Sequence, residues 1–505
     1  MRLKANLARL IGNWWSGGDD NSGGRIITER KRMVRGSFSL RASGLMVGAL
    51  SCLALNAQSL PNLFPFPNAS GFLETYTTTL KPIDLSGTFF QSLGTNGRSC
   101  GSCHRPAEGW TVSADEVRLR FELTQGTDPI FRPVDGANCD HNIDTSTMSG
   151  RRDAYSLLIR KALIRIALAV PADAEYNVIG VVNPYGCGDP STLSVYRRPL
   201  PSANLRFLST VMWDGRESSA QTGTQKITFP TNPADLLADL AHQANGATLG
   251  HAQASKPLTV QQQQDIVNFE MSLITAQAYD YLAGPLNGKG ATGGPTALAT
   301  QTLPPFFVGI NDPLGGNPLG TPFTPVIFKL FDAWASAGER GSDFTGQRAS
   351  IARGQALFNS KPINITGVAG LNDDLNLASI PGTCGTCHDS PNVGNHSVSA
   401  PLNIGVGDLT SSLDLTYLPV ITLQNKLTHE VKTTTDPGRA LITGLWKDIG
   451  RLKGPILRGL ASRAPYFHNG SASSLEDVLN FYNARFNIGL TGQEKRDLIA
   501  FLNSL

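Results

Sequence analysis

Apolar residues recur at intervals of three to four in several stretches of the chain, and this spacing predicts amphipathic helices. The clearest stretches are 151–168, 260–282, 325–337, 346–359 and 492–505. Ser474, with acidic residues two and three positions later, predicts the start of a further helix that continues through Tyr482. No strand-like segment of useful length is evident, so the pattern predicts a mostly α-helical protein.

The segment 284–345 interrupts this pattern. Its first part, 284–320, is rich in Gly, Pro, Thr and Asn and has little periodicity, which is typical of a linker or an inserted loop. We therefore expect an N-terminal domain over 58–283 and a C-terminal domain over 346–505. The 52 Gly and 31 Pro of the whole chain favour short helices joined by long loops around a buried prosthetic group.

Residues 1–57 have the character of an N-terminal extension followed by a signal peptide. A basic segment precedes an apolar stretch, 45–55, which ends in small residues. The stretch is too short to span a bilayer as a permanent helix, so we expect cleavage near Ala57 and a periplasmic or secreted protein. An uncleaved anchor is the alternative, and Met33 is an alternative start of the chain.

The charge of the chain argues against a nucleic-acid partner. It has 43 Lys and Arg against 40 Asp and Glu, a formal net charge of +3. No dense basic run lies in the mature region, and a polyanion-binding protein would need one.

Two cysteine motifs determine the expected chemistry. The chain contains two Cys-x-x-Cys-His sequences, made of Cys100, Cys103 and His104 and of Cys384, Cys387 and His388. In c-type haem attachment, two thiols one helical turn apart add across the two vinyl groups of a porphyrin, and the next imidazole becomes the proximal iron ligand. We therefore expect two covalently bound c-type haems. A thioredoxin-like site or a shared zinc site would not explain two distant motifs that each end in His.

Cys139 and Cys187 remain as a further pair. In an oxidising compartment they could form a disulfide, and closing that loop would stabilise the fold by roughly 3–4 kcal/mol. Two separate buried thiols are the alternative.

Several segments resemble, in the same order, the bacterial di-haem cytochrome c peroxidase and MauG superfamily. After the first haem motif come a Trp-Asp-Gly-Arg sequence at 213–216 and VNFEMSLITAQ at 267–277. ARGQALF at 352–358 precedes the second motif, and RAPYFHNGSASSLEDVLNFYN at 463–483 follows it. The resemblance implies two cytochrome c-like haem lobes packed together, with 284–345 as an insertion.

The resemblance also implies roles for Trp213 and Arg216. In the family this Trp lies between the haems and serves electron transfer, and a polarisable aromatic ring beside two redox centres suits that role. A core Trp that packs the interface between the lobes is the alternative. Arg216 is then expected to pair with a haem propionate, because a guanidinium matches a carboxylate in bidentate geometry.

The sixth ligand of the second haem is expected to differ from that of ordinary di-haem peroxidases. None of the six Met residues follows Met271, so the usual Met ligand is missing from the segment that normally supplies it. The resemblance puts the family's ligand position at Tyr482, and MauG-type enzymes use Tyr there. A phenolate stabilises oxidised iron, so the centre should have a low potential. His468 is the main rival, and His396, His429 and an open site remain.

The first haem is expected to be open or loosely closed, so that peroxide or dioxygen can reach the iron. The family's distal Glu has no obvious counterpart, and His251 lies near that position instead. His251 could take a proton from the peroxide and return it to the leaving oxygen. A solvated or structural His251 is the alternative, His141 is a further candidate ligand, and His242 is expected on a helix surface.

An inter-haem calcium ion, which the family implies, is doubtful in this chain. Arg198 and Lys453 lie near the corresponding positions, and cations there disfavour a bound Ca²⁺.

These observations predict a peroxidase in which a small electron-donor protein, a cytochrome c or a cupredoxin, delivers electrons to the second haem. Peroxide would be cleaved at the first haem. A MauG-like or rubber-oxygenase-like oxidase or oxygenase is one alternative, and a purely electron-transferring di-haem cytochrome is another. A homodimer stays open.

Overall fold

The computed structural model describes residues 58–218, 231–301, 306–336 and 345–505. Its α-helices are α1 (Ala114–Thr124), α2 (Pro133–Gly136), α3 (Met148–Ala154), α4 (Ser156–Lys161), α5 (Pro233–Gly250), α6 (Val260–Ser272), α7 (Pro295–Thr300), α8 (Thr345–Ser360), α9 (Ala440–Thr443), α10 (Leu475–Phe486) and α11 (Gly492–Asn503). Its strands are β1 (Ser59–Leu60), β2 (Phe66–Pro67), β3 (Gly71–Thr77), β4 (Ile83–Asp84), β5 (Ile164–Ala169), β6 (Tyr176–Val182), β7 (Thr192–Arg197), β8 (Leu273–Asp280), β9 (Gly284–Pro285), β10 (Ile363–Thr366), β11 (Ser379–Gly382), β12 (Val420–Asn425) and β13 (Val431–Thr434). The predicted signal peptide lies outside the described residues.

Side-chain caps begin several of the longer helices, because the first backbone N–H groups of a helix have no partner within it. Ser113, Thr259, Ser474 and Thr491 each accept a hydrogen bond from a backbone N–H in the first turn of their helix. The predicted helices at 346–359, 474–482 and 492–505 are confirmed as α8, α10 and α11.

The predicted helix over 151–168 is wrong in its second half. The segment forms α3 and α4, and Ala162 then adopts a left-handed conformation with φ of 51°. From Ile164 the chain continues as β5, which pairs antiparallel with β7. Ile166 and Leu168 are more deeply buried than Ala167 and Ala169, which is the alternation expected along a strand.

Two further helix predictions are corrected. The segment 260–282 is helical only as α6, and β8 follows it directly from Leu273 because that stretch pairs with β3 over seven residues. In 325–337 the described residues hold only a short 3₁₀ turn, Asp332–Trp334. That turn stacks the rings of Phe331 and Trp334 at a centroid distance of 4.9 Å, so the apolar spacing reflects local packing.

The expectation that strand-rich segments are lacking is wrong. One sheet has the order β2-β3-β8-β9, another has the order β13-β12-β6, and three more are strand pairs. In the second sheet β12 pairs antiparallel with β6, so residues 176–182 bond residues 420–425. The predicted boundaries at 283 and 346, and the two-lobe arrangement, stay predictions.

The core around the C-terminal helices packs α8 against α11. Phe328, Phe358 and Phe501 meet there with ring centroids 5.1 to 5.7 Å apart. The backbones approach so closely at Gly354 that a Cβ atom there would lie 2.0 Å from the carbonyl oxygen of Asp497. Glycine is therefore required at 354 for this packing.

Cys139 and Cys187 form a disulfide, as the sequence predicted. It joins the segment before α3 to the β6–β7 connection. Among the described helices, none is long and apolar enough to cross a membrane.

Candidate haem sites

Both Cys-x-x-Cys-His motifs fold into the same tight turn. One 3₁₀ turn spans Cys100–Ser102 and an equivalent turn spans Cys384–Thr386. The amide N–H of each motif His donates to the carbonyl of the first Cys, at 3.0 Å for His104 and 3.1 Å for His388. Because the backbone turns back so tightly, both thiols and the imidazole of each motif line one cavity.

The two motif histidines are oriented in the same way. Nδ1 of His104 lies 2.9 Å from the carbonyl oxygen of Trp110, and Nδ1 of His388 lies 2.6 Å from that of Gly394. A carbonyl only accepts, so each Nδ1 carries the proton and each Nε2 keeps its lone pair for a metal. Burial lowers the pKa of both imidazoles, which favours this neutral form.

Each motif lines a large, mostly apolar cavity. The empty space at each site, counted out into open solvent, is about 1560 Å³ at the first motif and about 1800 Å³ at the second. The wall of the first cavity also contains Arg198, Arg216 and Lys453, and the wall of the second cavity contains Lys361 and Lys453. A thiol pair, an imidazole prepared for a metal, an apolar wall and cations that match propionates together fit a haem at each motif.

Trp213 lies in the wall that the two cavities share. It lines both of them, as Lys453 and Pro455 also do. Its indole N–H donates to the carbonyl oxygen of Arg198 at 2.7 Å, and its own carbonyl accepts from the amide of Lys453 at 2.8 Å. Its ring meets that of His468 edge to face, with centroids 6.0 Å apart.

A buried charge network anchors the Trp-Asp-Gly-Arg segment. Arg197 pairs with Asp214 at 2.5 Å and with Asp436 at 2.7 Å, and all three side chains are buried. Arg216 approaches the same Asp214 carboxylate at 3.3 Å and lines the first cavity. The sequence analysis missed Arg197 and Asp436. A buried Asp in a functional motif requires a cation, and that requirement could have directed attention to the Arg-Arg pair at 197–198.

His251 lines the first cavity and is held by a carboxylate. Its Nδ1 lies 2.5 Å from Oδ2 of Asp135, and Arg98 lies 3.4 Å from the same oxygen. Burial alone would raise the pKa of Asp135, but the hydrogen bond and charge of His251 and the charge of Arg98 hold it below its usual value. A carboxylate that orients a histidine leaves the other ring nitrogen for proton exchange. Asp135 also lines the cavity and was missed.

Glu270 is a second carboxyl group of the first cavity that the sequence analysis missed. The side chain is buried, and its Oε2 has no hydrogen-bond partner among the described residues. Burial raises its pKa to about 8, so it holds a proton at neutral pH. Glu270 lies one helical turn after the buried Ile266, and that spacing could have indicated its burial.

The second cavity contains three of the predicted ligand candidates, Tyr482, His468 and His396. Burial raises the pKa of the Tyr482 phenol, and the nearby thiols of Cys387 and Cys384 add to that effect. Burial lowers the pKa of His468 to about 4, against the opposing charge of Asp436. All three side chains line the second cavity, so each of them stays a candidate ligand.

The remaining histidine candidates lie elsewhere. In the described part of the chain, His141 and His429 are exposed and line neither of the two cavities. His141 contacts Asp140 beside the disulfide. His242 is exposed on α5 and bonds Glu217 at 2.6 Å, as expected for a surface position.

Two buried cations, Arg198 and Lys453, bear on the expectation that calcium is doubtful in this chain, and that expectation stays a prediction. Arg198 and Lys453 both line the first cavity, and burial lowers the pKa of Lys453 to about 8. Their positive charges continue to disfavour Ca²⁺ there.

No protein-family model matches the chain. Cytochrome-c peroxidase IdrP1 from Denitromonas iodatirespirans is 30% identical over 195 residues, which cover 35% of this chain and 44% of that protein. IdrP1 from Pseudomonas sp. (strain SCT) is 29% identical over 195 residues, covering 35% of this chain and 43% of that protein. Cytochrome-c peroxidase IdrP2 from Denitromonas iodatirespirans is 32% identical over 144 residues, which cover 26% of this chain and 38% of that protein. The chain thus spans less than half the length of these curated relatives.

A solved structure of a MauG-like protein associated with microbial copper homeostasis aligns with 82% of this chain and 85% of that chain. Its identity is 15% and its TM-score is 0.32, which is too low to support an argument.

About a third of the chain is therefore similar to oxidoreductases named cytochrome-c peroxidase. Similarity to cytochrome-c peroxidases implies c-type haem as the cofactor, in agreement with the two motifs.

Proposed function

We propose that the chain is an exported di-haem c-type cytochrome that reduces hydrogen peroxide with electrons from a small donor protein. The observation that carries the proposal is the pair of Cys-x-x-Cys-His turns, each of which presents an imidazole Nε2 to its own cavity, with Trp213 in the wall between them. Peroxidase-named relatives support the reaction class. The predicted signal peptide and the Cys139–Cys187 disulfide support a periplasmic location.

The two motifs would hold two haems covalently. Cys100 and Cys103 would attach one and Cys384 and Cys387 the other, with the following His of each motif as the proximal ligand. Haem bound there would supply the redox chemistry that splits peroxide.

His251 is the residue best placed to move the proton in that reaction. Asp135 holds Nδ1 of the imidazole at 2.5 Å, so Nε2 would take a proton from one peroxide oxygen and return it to the other. Glu270, protonated at neutral pH because burial raises its pKa to about 8, would be a second proton source in the same cavity.

Trp213 would carry electrons between the two sites. The Trp213 side chain lines both cavities. Its indole N–H donates to the Arg198 carbonyl oxygen, and this hydrogen bond fixes the orientation of the ring. Arg216 and Lys453 would neutralise carboxylates of the bound cofactor, because both are cationic and line the first cavity.

The experiment is a direct turnover assay. Protein matured with haem is mixed with a reduced small cytochrome c, or in a parallel arm a reduced cupredoxin, and hydrogen peroxide is added. We expect the donor to be oxidised in proportion to the peroxide added. Absence of turnover with both donors would contradict the proposal.

A second function is a MauG-like oxidase or oxygenase, and Tyr482 is the observation that favours it. This phenol lines the second cavity, while none of the six Met residues of the chain follows Met271. Stable dioxygen binding by the protein as isolated, without peroxide-dependent donor oxidation, would favour this function over a peroxidase.

A further inference from the structure

Three buried side chains converge beside the second motif. Asp312, Asp389 and His396 each offer one ligand atom, and these atoms all lie within 4.8 Å of one another. All three side chains are buried. Asp312 belongs to the inserted segment 284–345, while Asp389 and His396 belong to the loop that follows the second Cys-x-x-Cys-His turn.

The two loop residues face each other at close range. Nδ1 of His396 lies 3.0 Å from Oδ2 of Asp389, an ion-pair distance, and neither atom has a hydrogen bond to any other described residue. Among the described residues, the buried side-chain oxygens of Ser390, Asn395 and Ser397 likewise lack a full set of partners. Buried polar atoms without partners are costly, so such a concentration within nine residues indicates a shared ligand.

The free oxygens are held in place by bonds to their neighbours. Oδ1 of Asp389 accepts from the amide of Ser397 at 2.7 Å, which leaves Oδ2 available. Oδ1 of Asp312 accepts from the amide of Leu314 at 2.6 Å. A Cβ atom at Gly316 would lie 2.4 Å from Oδ2 of Asp312, so glycine is needed there to keep this carboxylate in position.

The insertion docks on the same loop through its backbone. The amide of Gly309 donates to the carbonyl of Ser397 at 3.3 Å, and Nδ2 of Asn311 donates to the carbonyl of Asp389 at 3.2 Å. These bonds bring the Asp312 carboxylate to the loop and fix the arrangement of the three side chains.

We propose that Asp312, Asp389 and His396 bind a divalent cation, of the zinc or manganese class. Two carboxylates bring the negative charge that such an ion neutralises, and a mixed oxygen and imidazole set suits these metals. Ligands about 2.1 Å from one ion in adjacent octahedral positions lie roughly 3.0 Å apart, as the Nδ1 and Oδ2 atoms do. The ion would join the insertion to the loop that carries the second motif. In this proposal His396, which also lines the second cavity, is therefore assigned to this cation and not to a haem iron.

The test measures metal in protein matured with haem. The chain is expressed in medium supplemented with zinc sulfate or, separately, with manganese chloride, and metal is counted against haem. We expect one non-iron divalent ion per chain in at least one arm. In Asp312→Asn that content falls about tenfold or more, because a ligand is lost.

Asp280→Asn is the matched control. Asp280 is also a buried carboxylate that accepts backbone amides, from Leu282 at 2.7 Å and Ala283 at 2.8 Å, and it is not a member of the cluster. This variant should keep the metal content of the wild type.

Anomalous diffraction from wild-type crystals gives a readout that does not depend on the folding of a variant. A peak between the three side chains is expected at the edge of the bound metal. Three outcomes would each overturn the proposal. They are wild-type protein that contains no non-iron metal in either arm, an anomalous peak found only elsewhere, and full metal content in folded Asp312→Asn.

Discussion

The indole N–H of Trp213 donates to the backbone carbonyl of Arg198 at 2.7 Å. The amide of the same Arg198 donates to the carbonyl of His468, also at 2.7 Å. The wall between the two cavities is therefore tied together through backbone atoms, and the Trp213 ring cannot rotate without breaking a hydrogen bond.

Replacing this ring tests its role in electron transfer. Trp213→Phe keeps an aromatic side chain but loses the indole N–H and the easily oxidised ring. We expect the haem content to stay unchanged. The rate of peroxide-dependent donor oxidation should fall at least about tenfold, which corresponds to an activation barrier that is higher by roughly 1.4 kcal/mol. Steady-state assays at saturating donor measure this. Trp446→Phe is the control, since Trp446 bonds Glu430 outside both cavities. Equal rates in the two variants would contradict a relay through Trp213.

The pair His251 and Asp135 predicts a proton-transfer defect. His251→Gln should lower the peroxidase rate by about 10²- to 10⁴-fold, because general acid–base catalysis contributes that much. Asp135→Asn should lower it less, since the imidazole remains but loses its orienting charge. His242→Gln is the control, because His242 is also paired with a carboxylate but is exposed on α5. A His251→Gln variant with wild-type turnover would exclude this residue as the proton carrier.

Removing one thiol pair should remove one haem. The double variant Cys384→Ala with Cys387→Ala is expected to keep a single covalent haem, as counted by the mass of the denatured chain and by iron per polypeptide. The control replaces Cys139 and Cys187 by Ser, which breaks the disulfide and should leave both haems attached. Two haems in the first variant would contradict attachment at the second motif.

Tyr482 is predicted to influence the second site directly. In Tyr482→Phe the electron paramagnetic resonance spectrum of the oxidised protein should change in the component that belongs to the second site. Tyr466→Phe is the control, because Tyr466 lines the same cavity but its hydroxyl bonds the carbonyl of Leu460. A spectrum that changes only in the control would assign the ligand elsewhere, with His468 as the first alternative.

His468 predicts a loss of stability in acid. Its pKa is about 4 in the folded chain because of burial, against an ordinary value of 6.5. Below about pH 6.5 the unfolded chain binds a proton that the folded chain does not, so the free energy of unfolding falls as the pH drops to about 4. The difference is on the order of 3 kcal/mol. Urea unfolding at pH 7 and pH 4.5 should show a smaller drop for His468→Gln than for wild type, and an equal drop would refute this assignment.

The features that depend on a few residues close together in the sequence were predictable. The two haem motifs, the capped helices α10 and α11 and the Cys139–Cys187 pair each depend on residues whose chemistry is fixed by spacing. By contrast, the apolar spacing predicts a helix over 164–169, because such spacing over a short run cannot separate a helix from a half-buried strand. Its partner strand, β7, decided the conformation.

The partners of the site residues were not predictable. Asp135 reaches His251 across 116 residues, and Asp436 reaches Arg197 across 239. Contacts over such separations depend on the tertiary fold, which no local pattern specifies. The cluster of Asp312 with Asp389 and His396 depends in the same way on how the insertion folds back.

The pairing of β6 with β12 has a consequence for how the chain is made. Strand β6 ends at Val182, and its partner begins only at Val420. During synthesis the first half of the molecule therefore carries an open strand edge until the second Cys-x-x-Cys-His motif has already emerged. A chain that ends before Val420 would leave β6 without the strand it pairs with, so the backbone hydrogen bonds of β6 depend on the C-terminal half of the molecule.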